Sequence, residues 1–129
     1  MSKLIYIDTN VYLDYFYDRR DKLKPLGEFA FELLSKSVSC MYKIIVSDIT
    51  IFELNKKLPK NKVTELMNWL SLKTIYVNAT KKDKDYARKY HEIHYPDSLH
   101  IILAKKNNST LVSHDKEMQE LGAISAQDL

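Results

Sequence analysis

Leu4-Ile5-Tyr6-Ile7 runs without a break into Asp8-Thr9-Asn10, and Val11-Tyr12-Leu13 follows at once. Four consecutive apolar residues read as a strand buried on both faces, the pattern of a parallel sheet covered by helices on either side. An acid directly after such a strand stands at its carboxyl end, the edge where open parallel sheets hold their ligands. Downstream the pattern recurs. A short helix is expected over residues 11–17, and Pro25 opens a second with Leu26, Phe29, Ala30, Leu33 and Leu34 at helical spacing. Further strands are expected at 43–47, 74–77 and 110–113. Helices are expected from an Asp48 cap through Leu58, over 62–72, over 81–93 from a Thr80 cap, over 96–106 and over 115–121. A short edge strand is expected at 123–126. Strands alternating with helices predict an α/β fold, a three-layer α/β/α sandwich with a mainly parallel sheet, in a single domain spanning 1–129.

Composition removes several function classes. No apolar run approaches the roughly 18 residues of a membrane span. Met1-Ser2-Lys3 leads straight into the first strand, so neither a signal peptide nor a membrane association is expected. Cys40 is the only cysteine, which excludes an internal disulfide and a cysteine zinc site, and fits a reducing cytoplasm. Two glycines in 129 residues leave no phosphate-binding loop and no dinucleotide fingerprint. There is no internal repeat.

The acids are more informative than the bases. Asp8 follows the first strand and Asp115 follows Ser113-His114 after the fourth, so two acids from opposite halves of the sequence reach one sheet edge. Glu53 lies on the helix after the second strand, on a face with Ile49 and beside Phe52 and Leu54. Asp97 begins the helix Ser98-Leu99-His100-Ile101-Ile102-Leu103-Ala104. An acid on an apolar stripe needs a partner. No buried arginine is nearby in sequence, and a hard cation would serve. Singly, Asp8, Asp97 and Asp115 are ordinary helix-start acids. Capping explains Asp48 fully, but it explains neither Glu53 nor the convergence.

With these residues in view the sequence resembles the PIN-domain ribonucleases, the family that includes VapC-type toxins. Ile5-Tyr6-Ile7-Asp8-Thr9-Asn10 is similar to the family's opening strand-Asp-Thr/Ser-Asn motif. Ser47-Asp48-Ile49-Thr50-Ile51-Phe52-Glu53-Leu54 resembles the segment carrying its second acid. Asp97-Ser98-Leu99-His100 resembles the third motif, and Leu111-Val112-Ser113-His114-Asp115 the fourth. Met118 stands where an aromatic is common and Ser113 where threonine is commoner, and Glu117 is close enough in sequence to assist Asp115. A haloacid-dehalogenase-like phosphatase would need a second Asp where this chain has Asn10, and a response-regulator receiver would need paired acids that are missing.

The resemblance implies a metal-dependent endoribonuclease with Asp8, Glu53, Asp97 and Asp115 as catalytic, metal-binding residues. Oxygen-only donors select Mg²⁺ or Mn²⁺. Asn10 and Ser113 are placed to orient a carboxylate or a water. It further implies single-stranded or structured RNA as substrate, an inhibitory antitoxin protein as partner and a homodimer. An RNA-processing nuclease and a non-catalytic PIN-fold module that binds RNA or protein are the alternatives. Setting aside the four acids leaves 13 acids against 20 bases, about +7, which suits a phosphate backbone. Candidate RNA contacts are Arg19, Arg20, Lys22, Lys24, Lys105 and Lys106. Tyr12, Tyr15 and Tyr17 are expected to stack on bases or form a dimer face, Trp69 to pack internally, and His114 to be exposed. His91, His94 and His100 span an expected helix break and read as structural rather than as a zinc site.

Overall fold

The computed structural model describes residues 3–39, 41–89 and 94–129. Four strands, β1 (Lys3–Ile7), β2 (Tyr42–Ser47), β3 (Thr74–Val77) and β4 (Thr110–Val112), form one sheet in the order β3-β2-β1-β4. Every neighbouring pair is parallel, so all four carboxyl ends share one edge. The seven α-helices of the described residues are α1 (Thr9–Tyr17), α2 (Leu26–Val38), α3 (Asp48–Lys57), α4 (Lys60–Leu70), α5 (Lys81–Arg88), α6 (Tyr95–Lys106) and α7 (Lys116–Glu120).

Strand alternation divides the core. Ile5 and Ile7, with Ile44, Val46 and Val112, point to one face and pack against Val11 of α1, Leu33 and Leu34 of α2, Leu54 of α3 and Leu66 and Leu70 of α4. Tyr6, Ile45 and Leu111 point to the other, against Ala87 of α5, Leu99 and Leu103 of α6 and Met118 of α7. This is the three-layer α/β/α sandwich, and its continuous apolar strands follow from burial on both faces. Gly27 lets α2 approach the end of α1, because a Cβ there would lie 2.7 Å from the Asp18 Cα and 2.9 Å from the Asp14 carbonyl oxygen.

Several local expectations shift. Residues 123–126 form no strand. Ile124 makes a single parallel bridge with Val112, donating to Leu111 O at 2.9 Å and accepting from Ser113 N at 3.0 Å. The segment then turns into a 3₁₀ helix at Ala126–Asp128, so it closes the sheet edge without extending it. Helix α4 ends at Leu70 and a 3₁₀ turn, Ser71–Lys73, leads into β3. Asp48 is not the cap of α3. Ser47 takes that position, accepting from Thr50 N, while Asp48 Oδ1 accepts from Ile49 N and from Ala79 N, tying α3 to the loop after β3. Tyr12 is fully buried, so it is core and neither a stacking nor a dimer residue. Trp69 does pack, against Phe31 and Tyr15, while staying 38 % exposed. The expected extension of α5 over 90–93, with His91, falls outside the described residues. No helix among the described residues is long and apolar enough to cross a membrane.

Candidate active site

The strand order fixes where a ligand site belongs. The chain moves from β1 outward through β2 to β3, then crosses to β4 on the opposite side of β1. The connections therefore diverge between β1 and β4, and a crevice opens there beyond the strand ends. Asp8 stands at the end of β1 and Ser113 and Asp115 just past β4, so both sides of that crevice carry acids.

Asp8 occupies the N-cap position of α1 yet makes no capping bond. Its Oδ2 accepts from Ser113 Oγ at 2.9 Å instead. The Ser113 hydroxyl is a hub, since it also accepts from Asn10 Nδ2 at 3.3 Å and from Asp115 N at 3.1 Å. Asn10 and Ser113 thus hold the two strand-end acids in register. Burial pushes the Asp8 carboxyl above its ordinary value, against the opposing pull of His100 and Ser113. Asp97, in the first turn of α6, is half-buried; burial raises its pKa and the charges of Asp8 and Asp115 raise it further. Like charges near one another disfavour ionisation of both, which is the signature of acids sharing a site.

Glu53 has a protein partner that the sequence reading did not find. Its Oε1 accepts from Thr9 Oγ1 at 2.6 Å and meets His100 Nε2 at 2.6 Å. His100 is buried, one helical turn after Asp97 on α6, and its other nitrogen lies 2.6 Å from the Tyr6 hydroxyl, itself 2.7 Å from Ser47 Oγ. A chain Ser47–Tyr6–His100–Glu53 therefore crosses the interior and ends in the site. Burial would raise the Glu53 pKa, but the His100 hydrogen bond and charge outweigh it and hold the carboxyl below its ordinary value. Burial alone would lower the His100 pKa, and the Glu53 hydrogen bond with the charges of Asp8, Glu53 and Asp97 raises it. The available signal was spacing: an acid and a histidine three apart share a helix face.

Asp8, Thr9, Asn10, Leu13, Glu53, Asp97, Lys56 and Lys57 line one cleft of about 410 Å³. Asp115 is set apart from it. Its carboxylate caps α7, accepting from Glu117 N at 2.9 Å, and acts on Asp97 through charge, while its backbone N–H is tied to Asp8 through Ser113 Oγ. Glu117 is exposed. Among the described residues no group of three His, Asp or Glu side chains is arranged to hold a metal ion as it stands. The donor chemistry nevertheless fits a hard cation: Asp8 and Asp97 present carboxylate oxygens to one cleft, and although His100 Nε2 lies 3.8 Å from Asp8 Oδ1, burial still holds both carboxyls above their ordinary values.

The expected basic contacts divide. Lys105 and Lys106 sit at the far end of α6, about 12 Å along the helix from Asp97, and Lys106 pairs with Asp83 at 3.0 Å. Lys24 lines a separate cavity of about 110 Å³ with His114 and Lys116. Arg20 and Lys22 are exposed in the same α1–α2 connection. His114 is not exposed; its ring is buried and Nδ1 lies 2.6 Å from Asp14 Oδ2. Lys56 and Lys57 are the cations that border the acids, and neither was singled out from sequence.

The acids Asp8, Glu53 and Asp97 thus gather at the carboxyl edge of the sheet, where the central strands diverge. A family model described as PIN domain matches residues 5–124, and the chain belongs to that family. Comparison with curated proteins returns no match. Among solved structures, VapC20 of Mycobacterium tuberculosis, titled a sarcin-ricin loop cleaving toxin, superposes with a TM-score of 0.68 at 14 % identity, covering 93 % of this chain and 96 % of that one. A toxin–antitoxin complex from Klebsiella pneumoniae gives 0.66 at 16 % identity, covering 97 % and 99 %. VapBC2 of Rickettsia felis, bound to a DNA fragment from its promoter, gives 0.63 at 14 % identity, covering 95 % and 96 %. At such identities the likeness establishes the fold.

Proposed function

We propose that this chain is a metal-dependent endoribonuclease that hydrolyses RNA phosphodiester bonds and serves as the toxin of a type II toxin–antitoxin pair. The observation that carries the reading is the convergence of Asp8, Glu53 and Asp97 on one cleft, with the Asp8 and Asp97 carboxyls held above their ordinary values. Membership of the PIN family supports nuclease chemistry, and the likeness to a toxin and to a toxin–antitoxin complex supports the biological role and an antitoxin partner. A homodimer working in the cytoplasm belongs to the same proposal and rests on the family resemblance of the sequence.

Asp8 and Asp97 would hold Mg²⁺ or Mn²⁺ most directly, with Glu53 completing the set and Asp115, outside the cleft, contributing at most through water. When bound, the ion supplies Lewis-acid polarisation of a phosphodiester oxygen and a water of lowered pKa. The chain's own residues orient the donors. Ser113 fixes one Asp8 oxygen, and Thr9 with His100 fixes one Glu53 oxygen, leaving Glu53 Oε2 for the cleft. Lys56 and Lys57 supply positive charge at the border, where a phosphate would otherwise meet only acids.

A non-catalytic PIN-fold module has one observation in its favour, since Glu53 is already satisfied by Thr9 and His100. Calorimetric titration of Mn²⁺ into metal-stripped protein, with Asp8→Asn and Asp97→Asn beside it, separates the two. The nuclease reading expects binding in the parent, loss in both variants, and RNA cleavage lost with it. Absence of binding, or binding indifferent to both changes, would return the chain to the non-catalytic role.

A further inference from the structure

Helix α3 carries Glu53 into the cleft, and the same face continues outward. Ile49, Phe52, Glu53 and Lys56 fall at i, i+3, i+4 and i+7, a single stripe, with Lys57 one turn beyond Glu53. Phe52, next to Glu53 in sequence, is 59 % exposed, and Lys56 Nζ lies 4.4 Å from the centre of its ring. Lys57 is tied sideways to α1, where the Tyr17 hydroxyl donates to its carbonyl oxygen at 2.8 Å. Tyr17 is also half-exposed, and the half-exposed Arg19 guanidinium lies over its ring at 5.0 Å, with one nitrogen 3.7 Å from the buried Asp14 carboxylate. The two ring–cation pairs are thus linked through the Tyr17–Lys57 hydrogen bond into a band that meets the cleft at Lys56 and Lys57.

Lysines in a last helical turn are ordinary, because they suit the helix dipole. Exposed large apolar side chains are ordinary on this surface too, Leu23, Leu72 and Tyr76 among them; what marks this stretch is the alternation of rings with cations at the border of the cleft, the chemistry that holds single-stranded nucleic acid. Bases stack on the rings without regard to sequence while the cations take the phosphates. The band's positive charge also opposes the acids of the cleft, so a polyanion is drawn to the border and would be repelled from the floor until the acids are neutralised. We infer that the band Phe52–Lys56–Lys57–Tyr17–Arg19 is the docking strip for single-stranded RNA flanking the scissile phosphate. The inference rests on the ribonuclease reading and gives it a direction: the strand enters over α3 and the end of α1, away from Lys105 and Lys106.

The test is fluorescence anisotropy of a labelled single-stranded oligoribonucleotide of about 12 nucleotides, within the usual site size. It uses the full chain in EDTA over a range of salt, with cleavage in Mn²⁺ measured in parallel. Lys56→Gln/Lys57→Gln should weaken binding and flatten the dependence of log K on log salt by about 1.4, roughly 0.7 per lost phosphate contact. Phe52→Ala should weaken binding about ten-fold with the salt slope unchanged, and Phe52→Trp should restore it. Lys105→Gln should bind as the parent does. Parent-like binding and slope in both band variants, with cleavage intact, would overturn the strip alone and leave this face to a protein partner. A parent that neither binds nor cleaves RNA would overturn the strip together with the ribonuclease reading.

Discussion

His100 decides how the site holds together. A buried imidazole with both nitrogens engaged, one by Tyr6 and one by Glu53, fixes a carboxylate that the helix alone would leave to rotate. Partners of this kind govern metal affinity without touching the metal. Tyr6→Phe keeps the ring in the core and removes only the hydroxyl, so Mn²⁺ affinity is expected to fall about ten-fold while far-ultraviolet circular dichroism stays unchanged. His100→Ala should lose more, and His100→Gln, whose amide can still donate to Glu53, should recover part of the loss. Calorimetry reads all three, and parent-like Mn²⁺ affinity in Tyr6→Phe would remove the hydrogen-bond chain from the site's account. Sequence reading found Glu53 anomalous but looked for its partner nearby in the chain. The partner is 47 residues away, and only the packing of α6 against the sheet delivers it. His100 was visible at i+3 from Asp97, yet a histidine in an apolar helix more often reads as core, and nothing local distinguishes the two.

Elements whose ends are governed by local chemistry were legible, and those governed by tertiary contacts were not. Thr80 was expected to cap α5 and does: its hydroxyl accepts from Asp83 N at 3.1 Å while Asp83 Oδ2 accepts from Thr80 N at 2.9 Å, a reciprocal box written in four consecutive residues. Asp48 reads as the cap because nothing local shows that Ser47, the last residue of β2, also caps α3, and the anchor on Ala79 is 31 residues away. The segment 123–126 was misread because its alternation is satisfied by one bridge to Val112. The α5 box carries its own prediction. Hydrogen bonding from Thr80 N, together with Lys106, holds the Asp83 carboxyl below its ordinary 3.8. A depressed carboxylate stabilises the fold fully above its unfolded pKa and loses that contribution as pH falls through the lower folded value. Thr80→Ala should therefore cost about 1 kcal/mol at pH 7 in urea unfolding. Asp83→Asn should flatten the acid limb of the stability profile below about pH 4. An unchanged acid limb in Asp83→Asn would show that Asp83 contributes nothing by ionising.

At the scale of the whole molecule, the parallel sheet concentrates acids at one edge and pays for it in stability. The edge itself was readable, because buried strands followed by acids can only stack their carboxyl ends together. The strand order, and hence the pairing of Asp8 with Ser113 across β1 and β4, was not readable, since no local pattern records which strands are neighbours. Asp8 and Asp97 both have raised pKa values from burial, and Asp97 from the charge of Asp8 as well, so at neutral pH their ionised forms oppose folding. A cation that binds the folded state relieves this. At about 100 times its dissociation constant it adds about 2.7 kcal/mol, a rise of about 10 °C in Tm for a domain of this size. Asp97→Asn separates the two consequences. Without metal it should be at least as thermostable as the parent, because one repelling charge is gone, and with Mn²⁺ it should show no rise. Asp115→Asn should keep most of the rise, because that carboxylate caps α7 and stands outside the cleft. Differential scanning calorimetry with and without Mn²⁺ reads both variants. A metal-free Asp97→Asn protein that melts well below the parent would mean that Asp97 supports the fold, and the repulsion drawn from its surroundings would be wrong.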